Sequence, residues 1–271
     1  MQLNTNSIKL SQILKLKNIK SLKNKSFFCI IKILFMESRK IWCDKKKNFY
    51  YVNESYFDNW NNDMAYVLGY FSADGCLTKN SKRQNYFIEF VSTDFDLIVK
   101  VKESLDAKQK ISERKIVKTQ KKAYRIQIGS KKIFSSLVKL GFCPRKSNVM
   151  KFPKVPIIFL PDFIRGYFDG DGFVSYGEYP RKGRKKIGKF LLSGFVSGSE
   201  RYIFKLKQLL AKYAGIQGGS AYYGQGYRLT YSINDSILLY RFLYGNDLNR
   251  FCLKRKKDVF EKALLKFGRV A

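Results

Sequence analysis

Two aspartates, Asp74 and Asp171, are the residues of this sequence whose type and spacing best suit chemistry. Each precedes a glycine at the end of an apolar run, in "AYVLGYFSADGCL" and "FIRGYFDGDGFV", and both stretches share the frame G-Y-F-x-[AG]-D-G. A single Asp-Gly usually does no more than end a helix, but a repeated one can bring two carboxylates together. Adjacent carboxylates repel each other unless a cation lies between them, and hard oxygen ligands favour Mg²⁺. The repeat therefore predicts a metal site.

The composition indicates the class of substrate. The chain has 53 Lys+Arg against 21 Asp+Glu, a formal net charge of +32, which points to a polyanion: nucleic acid first and an anionic membrane second. Histidine is absent. A histidine base and a His/Cys zinc site are therefore excluded. Attack of a metal-bound water on a phosphodiester is the chemistry open to a basic protein with paired carboxylates.

The remaining composition argues against secretion and against a membrane span. Five cysteines, an odd number without a CxxC pair, favour reduced intracellular thiols over a disulfide framework. The apolar run at residues 27–36 is interrupted by Lys32 and is too short to cross a bilayer, so no membrane partner is expected. Residues 1–56 are expected to be a basic, poorly ordered N-terminal extension.

The two motifs are expected to be helices that pack against each other. Gly69 and Ala73 lie four residues apart in the first motif. Gly166 and Gly170 hold the same positions in the second. Small residues at this spacing share one helical face and allow two backbones to approach closely. The glycine after each aspartate is predicted to take the left-handed cap conformation, so that packing about a pseudo-two-fold axis brings both aspartates to one end of the interface.

The repeat extends beyond the motifs. "FVSTDFDLIVKVKESL" and "FVSGSERYIFKLKQLL" each predict a strand end, an N-cap at Asp94 or Ser199, and a helix. Each half then offers two strands and a helix, at residues 115–118, 124–128 and 133–140, and at 220–223, 227–233 and 237–244. The predicted fold class is α+β, with two pseudo-symmetric αββαββα units at residues 57–150 and 162–271, joined by a proline-rich linker at 151–161.

The pair "VLGYFSADG" and "IRGYFDGDG" resembles the two motifs of a monomeric LAGLIDADG homing endonuclease, and the resemblance covers roughly residues 57 to 265. It implies a saddle of two units with two antiparallel sheets along the DNA major groove. It also implies a monomer that makes double-strand breaks at a long asymmetric target, with Mg²⁺ as cofactor and Mn²⁺ able to substitute. The metal ligands it implies are the carboxylates of Asp74 and Asp171 and the backbone carbonyls of Ala73 and Gly170.

Asp169 is not expected to be a paired catalytic group, because Ser72 holds the equivalent position in the first motif. A helix-end hydrogen bond or a supporting role is expected for it instead. The resemblance further implies basic residues near the centre, within "FCPRKS" and "FCLKRKK". These are Lys146 and Lys254, with Lys256 as an alternative, and simple phosphate contacts are the competing interpretation. Ser92 and Ser197 are implied nearby as residues that orient solvent.

The implied DNA-binding sheets agree with the alternation in "YRIQIGS" and "YRLTYSI", where one face of each strand is apolar and the other polar. Arg125 and Gln127 suit guanine and adenine edges, and Arg228 and Thr230 hold the polar positions of the second strand. The loop at residues 179–189 is interpreted as a phosphate-contacting finger. The remaining candidates for DNA binding, mainly through phosphates, are Lys79, Lys82, Arg83, Arg181, Arg184 and Lys185.

Two other functions fit the same residues. One is an RNA maturase that assists splicing, with intron RNA as its partner, and the other is a non-cleaving DNA-binding regulator. Intact acids in both motifs disfavour the regulator, whereas a maturase can retain them. The expected location is intracellular: the cytoplasm if the source is bacterial, or otherwise a mitochondrion or plastid.

Overall fold

The computed structural model describes residues 41–43, 48–80, 82–115, 122–145, 148–181, 183, 187–245 and 250–268. The chain divides into two units, residues 1–38 and 39–271, and every described residue lies in the second. Within the described part of the chain, no helix is long and apolar enough to cross a membrane.

The first half follows the predicted order αββαββα, after a short hairpin formed by β1 (Ile41–Cys43) and β2 (Asn48–Tyr50). Its elements are α1 (Asn62–Asp74), β3 (Gly75–Asn80), β4 (Asn85–Ser92), α2 (Phe95–Ser104), β5 (Ser112–Lys115), β6 (Lys122–Gly129) and α3 (Lys131–Lys139).

The second half repeats this order and adds a basic helix at its end. A 3-10 turn (Ile157–Phe159) leads into α4 (Leu160–Asp171), β7 (Gly172–Tyr179), β8 (Gly188–Ser197), α5 (Glu200–Ala214), β9 (Ser220–Tyr223), β10 (Tyr227–Tyr231), α6 (Ile233–Tyr244) and α7 (Lys254–Lys266). The predicted fold class is confirmed, with two pseudo-symmetric units. The strand predicted at 227–233 ends at Tyr231, because Ser232 is the N-cap of α6.

Each half contains one antiparallel sheet of four strands, in the orders β3-β4-β6-β5 and β7-β8-β10-β9. The registers of the two sheets correspond. Gly75 pairs with Phe90 and Phe90 with Ile126, as Gly172 pairs with Phe195 and Phe195 with Leu229. Positions in one sheet can therefore be compared directly with positions in the other.

The two motif helices, α1 and α4, touch backbone to backbone. A Cβ atom placed on Gly69 would lie 1.9 Å from the carbonyl oxygen of Phe163. One placed on Gly166 would lie 2.0 Å from the carbonyl oxygen of Tyr66, which is the pseudo-symmetric contact. Real Cβ atoms do not approach other atoms this closely, so only glycine fits at either position. The predicted close packing is confirmed.

The prediction of a left-handed cap after each aspartate is wrong. Gly75 has φ −81° and ψ 149°, and Gly172 has φ −83° and ψ 158°, so both are already extended strand residues. Glycine is needed there because a Cβ atom would lie 2.1 Å from the ring of Phe71 or 2.3 Å from that of Phe168. The chain thus passes from each helix straight into the first strand of its sheet, under an aromatic ring.

Residues just before position 57, expected to belong to the extension, pack into the first half. Val52 is buried, and the backbone N–H of Asn53 donates to the carbonyl of Leu105 at 2.8 Å. The hydroxyl of Ser130 donates to the buried carboxylate of Glu54, also at 2.8 Å. Helix α4 begins at Leu160, within the range expected for the linker, and has a proline in its first turn.

Replacing Gly166 with alanine should destabilise the protein by about 3 kcal/mol or more, the upper range for overpacking, because the methyl group meets a backbone carbonyl that cannot move aside. The measurement is urea unfolding followed by circular dichroism. The matched control is Gly224→Ala, where a Cβ atom would meet nothing within 4 Å, and where the change should stay within about 0.5 kcal/mol. Equal stability of the two variants would contradict the close helix contact.

Candidate active site and nucleic-acid interface

Asp74 and Asp171 are the last residues of α1 and α4. The helices stay in contact to their last turns, because a Cβ atom on Gly170 would lie 2.4 Å from that of Ala73. The same position lies 3.1 Å from Oδ2 of Asp74, so this carboxylate lies beside the end of the opposite helix. The interface therefore delivers an acid from each motif to one end of the helix pair.

The electrostatic effect of both aspartates reaches two buried tyrosines, Tyr70 and Tyr167. The phenol of Tyr70 donates to the carbonyl of Val91 at 2.8 Å, and that of Tyr167 to the carbonyl of Val196 at the same distance. Burial raises the pKa of both phenols well above its ordinary value. The next cause for each is the aspartate of its own motif, and the aspartate of the other motif raises the pKa of each further. Both carboxylates thus act on both rings.

The donors at this end of the helices fit Mg²⁺. The two aspartate carboxylates are hard oxygen ligands, and Asp74 lies against the opposite helix. Across the described residues no cluster of three or more His, Cys, Asp or Glu side chains forms a closed metal cage. Mg²⁺ typically takes one or two carboxylates and keeps waters or substrate phosphates as its other ligands. Asp74 and Asp171 suit such an open site.

Lys256, the alternative to Lys254, lies at the end of the second motif. Its buried ammonium donates to the carbonyls of Phe168 at 2.7 Å, Asp169 at 2.9 Å, Gly170 at 3.2 Å and Gly172 at 2.6 Å. Burial lowers its pKa to about 8, against the opposing effect of Asp169. The amine remains protonated at neutral pH and satisfies the last carbonyls of α4. The Gly170 carbonyl, an expected metal ligand, already accepts a bond from this lysine.

Lys254 lies elsewhere. It is the first residue of α7 and its side chain is exposed. Lys146 lies outside the described residues. Among the lysines that the sequence indicated and the structure describes, the one in contact with a motif is therefore Lys256.

Asp169 bonds to neighbouring elements. Its Oδ2 accepts from the phenol of Tyr66 at 2.7 Å and from the backbone N–H of Leu253 at 2.8 Å. Burial raises the pKa of its carboxyl to about 6, and the two hydrogen bonds oppose that rise. Leu253 is the N-cap of α7, so this aspartate helps to place the helix that carries Lys256.

Ser92 and Ser197 form matching turns after β4 and β8. Their hydroxyls accept from the backbone N–H groups of Asp94 at 2.9 Å and Ser199 at 3.1 Å. Ser199 then caps α5 as predicted, by accepting from the N–H of Tyr202. Asp94 makes no side-chain cap and instead forms two hydrogen bonds with Arg255 of α7.

The open faces of the sheets carry four of the predicted DNA-binding residues. Arg125 and Gln127 lie on one side of β6, opposite the buried Ile126, and Arg228 and Thr230 lie likewise on β10. The exposed residues Lys82, Arg83 and Arg181 lie in the first hairpins of the two sheets. Lys79 lies on the other face of its strand, with its ammonium 5.6 Å from the ring of Tyr86. Arg184 and Lys185 lie outside the described residues.

A buried charge network that the sequence did not predict lies at the start of α4. Asp162 is fully buried and accepts from Arg165 at 2.6 Å, Asn62 at 2.7 Å and Arg250 at 2.8 Å. Arg165 also donates to the carbonyls of Leu243 and Phe251. The signal in the sequence was an arginine directly before the helix-packing glycine, at a position where a solvent-exposed charge cannot fit.

Lys256→Met should lower the free energy of unfolding by about 3 kcal/mol, because a charge-assisted donor to four carbonyls is lost. Lys254→Met removes the same charge from the exposed start of the same helix and should change stability by less than about 0.5 kcal/mol. Urea unfolding at neutral pH in EDTA measures both. A stable Lys256→Met protein would show that the carbonyls of α4 do not need this donor.

Residues 61–140 match the LAGLIDADG-like domain family. A sequence search of curated proteins found no significant match.

Solved structures with the same fold cover most of the chain. The meganuclease I-SmaMI bound to uncleaveable DNA matches with a TM-score of 0.53 and 14% identity, over 75% of this chain and 91% of that one. The I-LtrWI LAGLIDADG homing endonuclease bound to target DNA matches with 0.51 and 11%, over 80% and 91%. The homing endonuclease I-WcaI bound to its DNA recognition sequence matches with 0.50 and 14%, over 76% and 91%. Residues 61–140 therefore contain a LAGLIDADG-like domain, and the chain shares the fold of these LAGLIDADG homing endonuclease structures.

Proposed function

We propose that this protein is a sequence-specific DNA endonuclease that makes double-strand breaks by metal-dependent phosphodiester hydrolysis and so promotes mobility of a host intron or intein. The observation that carries the proposal is the delivery of Asp74 and Asp171 to one end of the α1–α4 interface. The three relatives described above were each solved bound to DNA, which supports double-stranded DNA as the partner.

A single chain supplies both halves of the proposed site. Each motif contributes one aspartate and one sheet, so no second copy is needed to complete the pair of carboxylates. This supports a monomer acting on an asymmetric target, since the two sheets carry different side chains at equivalent positions.

The chain's own residues have separate tasks in this proposal. Asp74 and Asp171 would hold the cation, while Lys256 donates to the α4 carbonyls and so fixes the position of Asp171. Tyr70 and Tyr167, whose pKa values are raised, stay neutral and anchor each helix end to its sheet. Mg²⁺ bound there would supply Lewis-acid stabilisation of the charge that develops on the phosphate.

Asp74→Asn and Asp171→Asn should each abolish double-strand cleavage and leave DNA binding within about threefold of wild type, because amides ligate Mg²⁺ poorly and the fold is kept. The substrate is the DNA formed by joining the flanks of the insertion that carries the reading frame, incubated with Mg²⁺. EDTA should also stop cleavage by the wild type. Asp96→Asn, in the first turn of α2, is a control for the loss of one charge. Persistent cutting by both motif variants would overturn the metal assignment, and intact binding without any wild-type cutting would favour a maturase or a regulator.

Binding should weaken steeply with salt, because phosphate contacts by lysine and arginine release counterions. For six or more phosphates, affinity should fall by about 10³ or more between 50 and 200 mM salt. Fluorescence anisotropy with a labelled duplex of the same joined flanks measures this dependence. A flat response would exclude an interface dominated by phosphates.

A further inference from the structure

The first sheet holds a carboxylate on the face where a polyanion is expected. Glu89 lies in β4, in register with Cys76 on one side and Gln127 on the other. It is the one acidic residue on the open face of this sheet, among the strand residues that the structure describes. A carboxylate near phosphates costs binding energy through repulsion, so its position needs an explanation.

Glu89 accepts from two side chains of β6. The guanidinium of Arg125 donates to its Oε2, and so does the amide nitrogen of Gln127 at 3.3 Å. About one fifth of the Arg125 side chain and a similar share of the Glu89 side chain is exposed, so the pair is partly shielded but reachable. Gln127, with its amide nitrogen engaged, is less suited to bidentate recognition of adenine than the sequence indicated.

The second sheet treats the equivalent arginine differently. Arg228 lies opposite Val196, as Arg125 lies opposite Val91, and Gly194 takes the position of Glu89. The guanidinium of Arg228 lies 5.4 Å from the centre of the Phe173 ring. A Cβ atom on Gly194 would lie 1.9 Å from the carbonyl oxygen of Leu229 and 2.8 Å from the Phe173 ring, so no side chain, acidic or other, fits at this position. Among the described strand residues, the open face of this sheet contains no acid.

The two arginines therefore present different chemistry. Arg228 is supported by an aromatic ring and lies opposite Tyr222 of the neighbouring strand β9. Arg125 is held beside the carboxylate of Glu89, which can itself accept a hydrogen bond from a base. A G·C pair shows two acceptors on guanine and one amino donor on cytosine in the major groove. An arginine with a neighbouring glutamate matches that pattern, since one side chain donates to guanine and the other accepts from cytosine.

We propose that Glu89 is a specificity-determining residue that, together with Arg125, recognises one G·C base pair in the half-site bound by the first sheet. This inference rests on the proposed function, because it assumes that the open face of the sheet meets DNA. The inference extends the proposed function by assigning one base pair to one pair of side chains. The second sheet has no such unit, so the two half-sites are recognised by different means.

The test selects binding sites from a pool of randomised duplex DNA in EDTA, so that bound DNA is recovered uncut. The wild type should enrich a motif with a G·C pair at one position of one half-site. Glu89→Ala should lower the preference for that pair by roughly tenfold and leave the other positions unchanged. Arg125→Lys should lower the preference at the same position, because lysine cannot form the bidentate fork. Affinity for the unselected pool should not fall in Glu89→Ala.

The matched control is Glu113→Ala, which removes the same charge from the same sheet. Glu113 lies on edge strand β5, faces the other side of the sheet and pairs with exposed Lys122 at 2.9 Å. The motif selected by this variant should equal that of the wild type. An unchanged motif in Glu89→Ala, or changes at different positions in the two test variants, would overturn the inference and leave the endonuclease proposal intact. If the wild type enriches no motif at all, the proposal of sequence-specific binding falls, and this inference falls with it.

Discussion

The backbone contact between α1 and α4 is the constraint on which the rest of the structure depends. Gly69 lies against the carbonyl of Phe163, and Gly166 lies against that of Tyr66. Because both contacts leave no room for a Cβ atom, the helices have one permitted register, and a slip by one turn would move their ends by about 5.4 Å. Each helix passes without a loop into the first strand of its sheet, at Gly75 and Gly172. The contact therefore sets the positions of both aspartates and of both sheets at once.

Buried charges lock the C-terminal segment onto α4 at both ends of that helix. Asp162 and Arg165 bind residues 250–251 at its start, and Lys256 binds its last carbonyls. Asp169, in the last turn of α4, accepts from Leu253 and ties the beginning of α7 to the same end of that helix. Buried ions contribute little net stability, since desolvation offsets their attraction, but removing one partner is costly. The networks thus act mainly to fix the position of the last turn of α4, which carries the carboxylate of Asp171.

The repeat in the sequence was sufficient to predict the fold, because helical spacing and strand alternation are local properties that a pattern can show. The predicted order of elements, the close helix packing and the open polar faces follow from such patterns. The conformation of the glycine after each motif helix was predicted wrongly. Gly75 is required because the ring of Phe71 leaves no room for a Cβ atom, and not because the backbone has a positive φ. The sequence favoured Lys254 over Lys256 as the basic residue near the centre. Two lysines this close in sequence cannot be told apart until the orientation of α7 shows which side chain is buried against α4. Asp94 was expected to cap α2 and instead pairs with Arg255, a partner 161 residues away.

The pseudo-symmetry is strict where backbones pack and weaker among side chains, both in the interior and on the open faces of the sheets. The glycines of the helix contact, the tyrosines that anchor the helix ends and the serine turns all occur in both halves. The bond between Tyr66 and Asp169 has no counterpart, because Phe163 lacks a hydroxyl at the position equivalent to Tyr66. On the open faces, the position that Glu89 takes in the first sheet is taken by Gly194 in the second. A shared backbone constraint thus preserves the paired acids while leaving each sheet free to differ, and a ligand that meets both sheets is recognised as an asymmetric object.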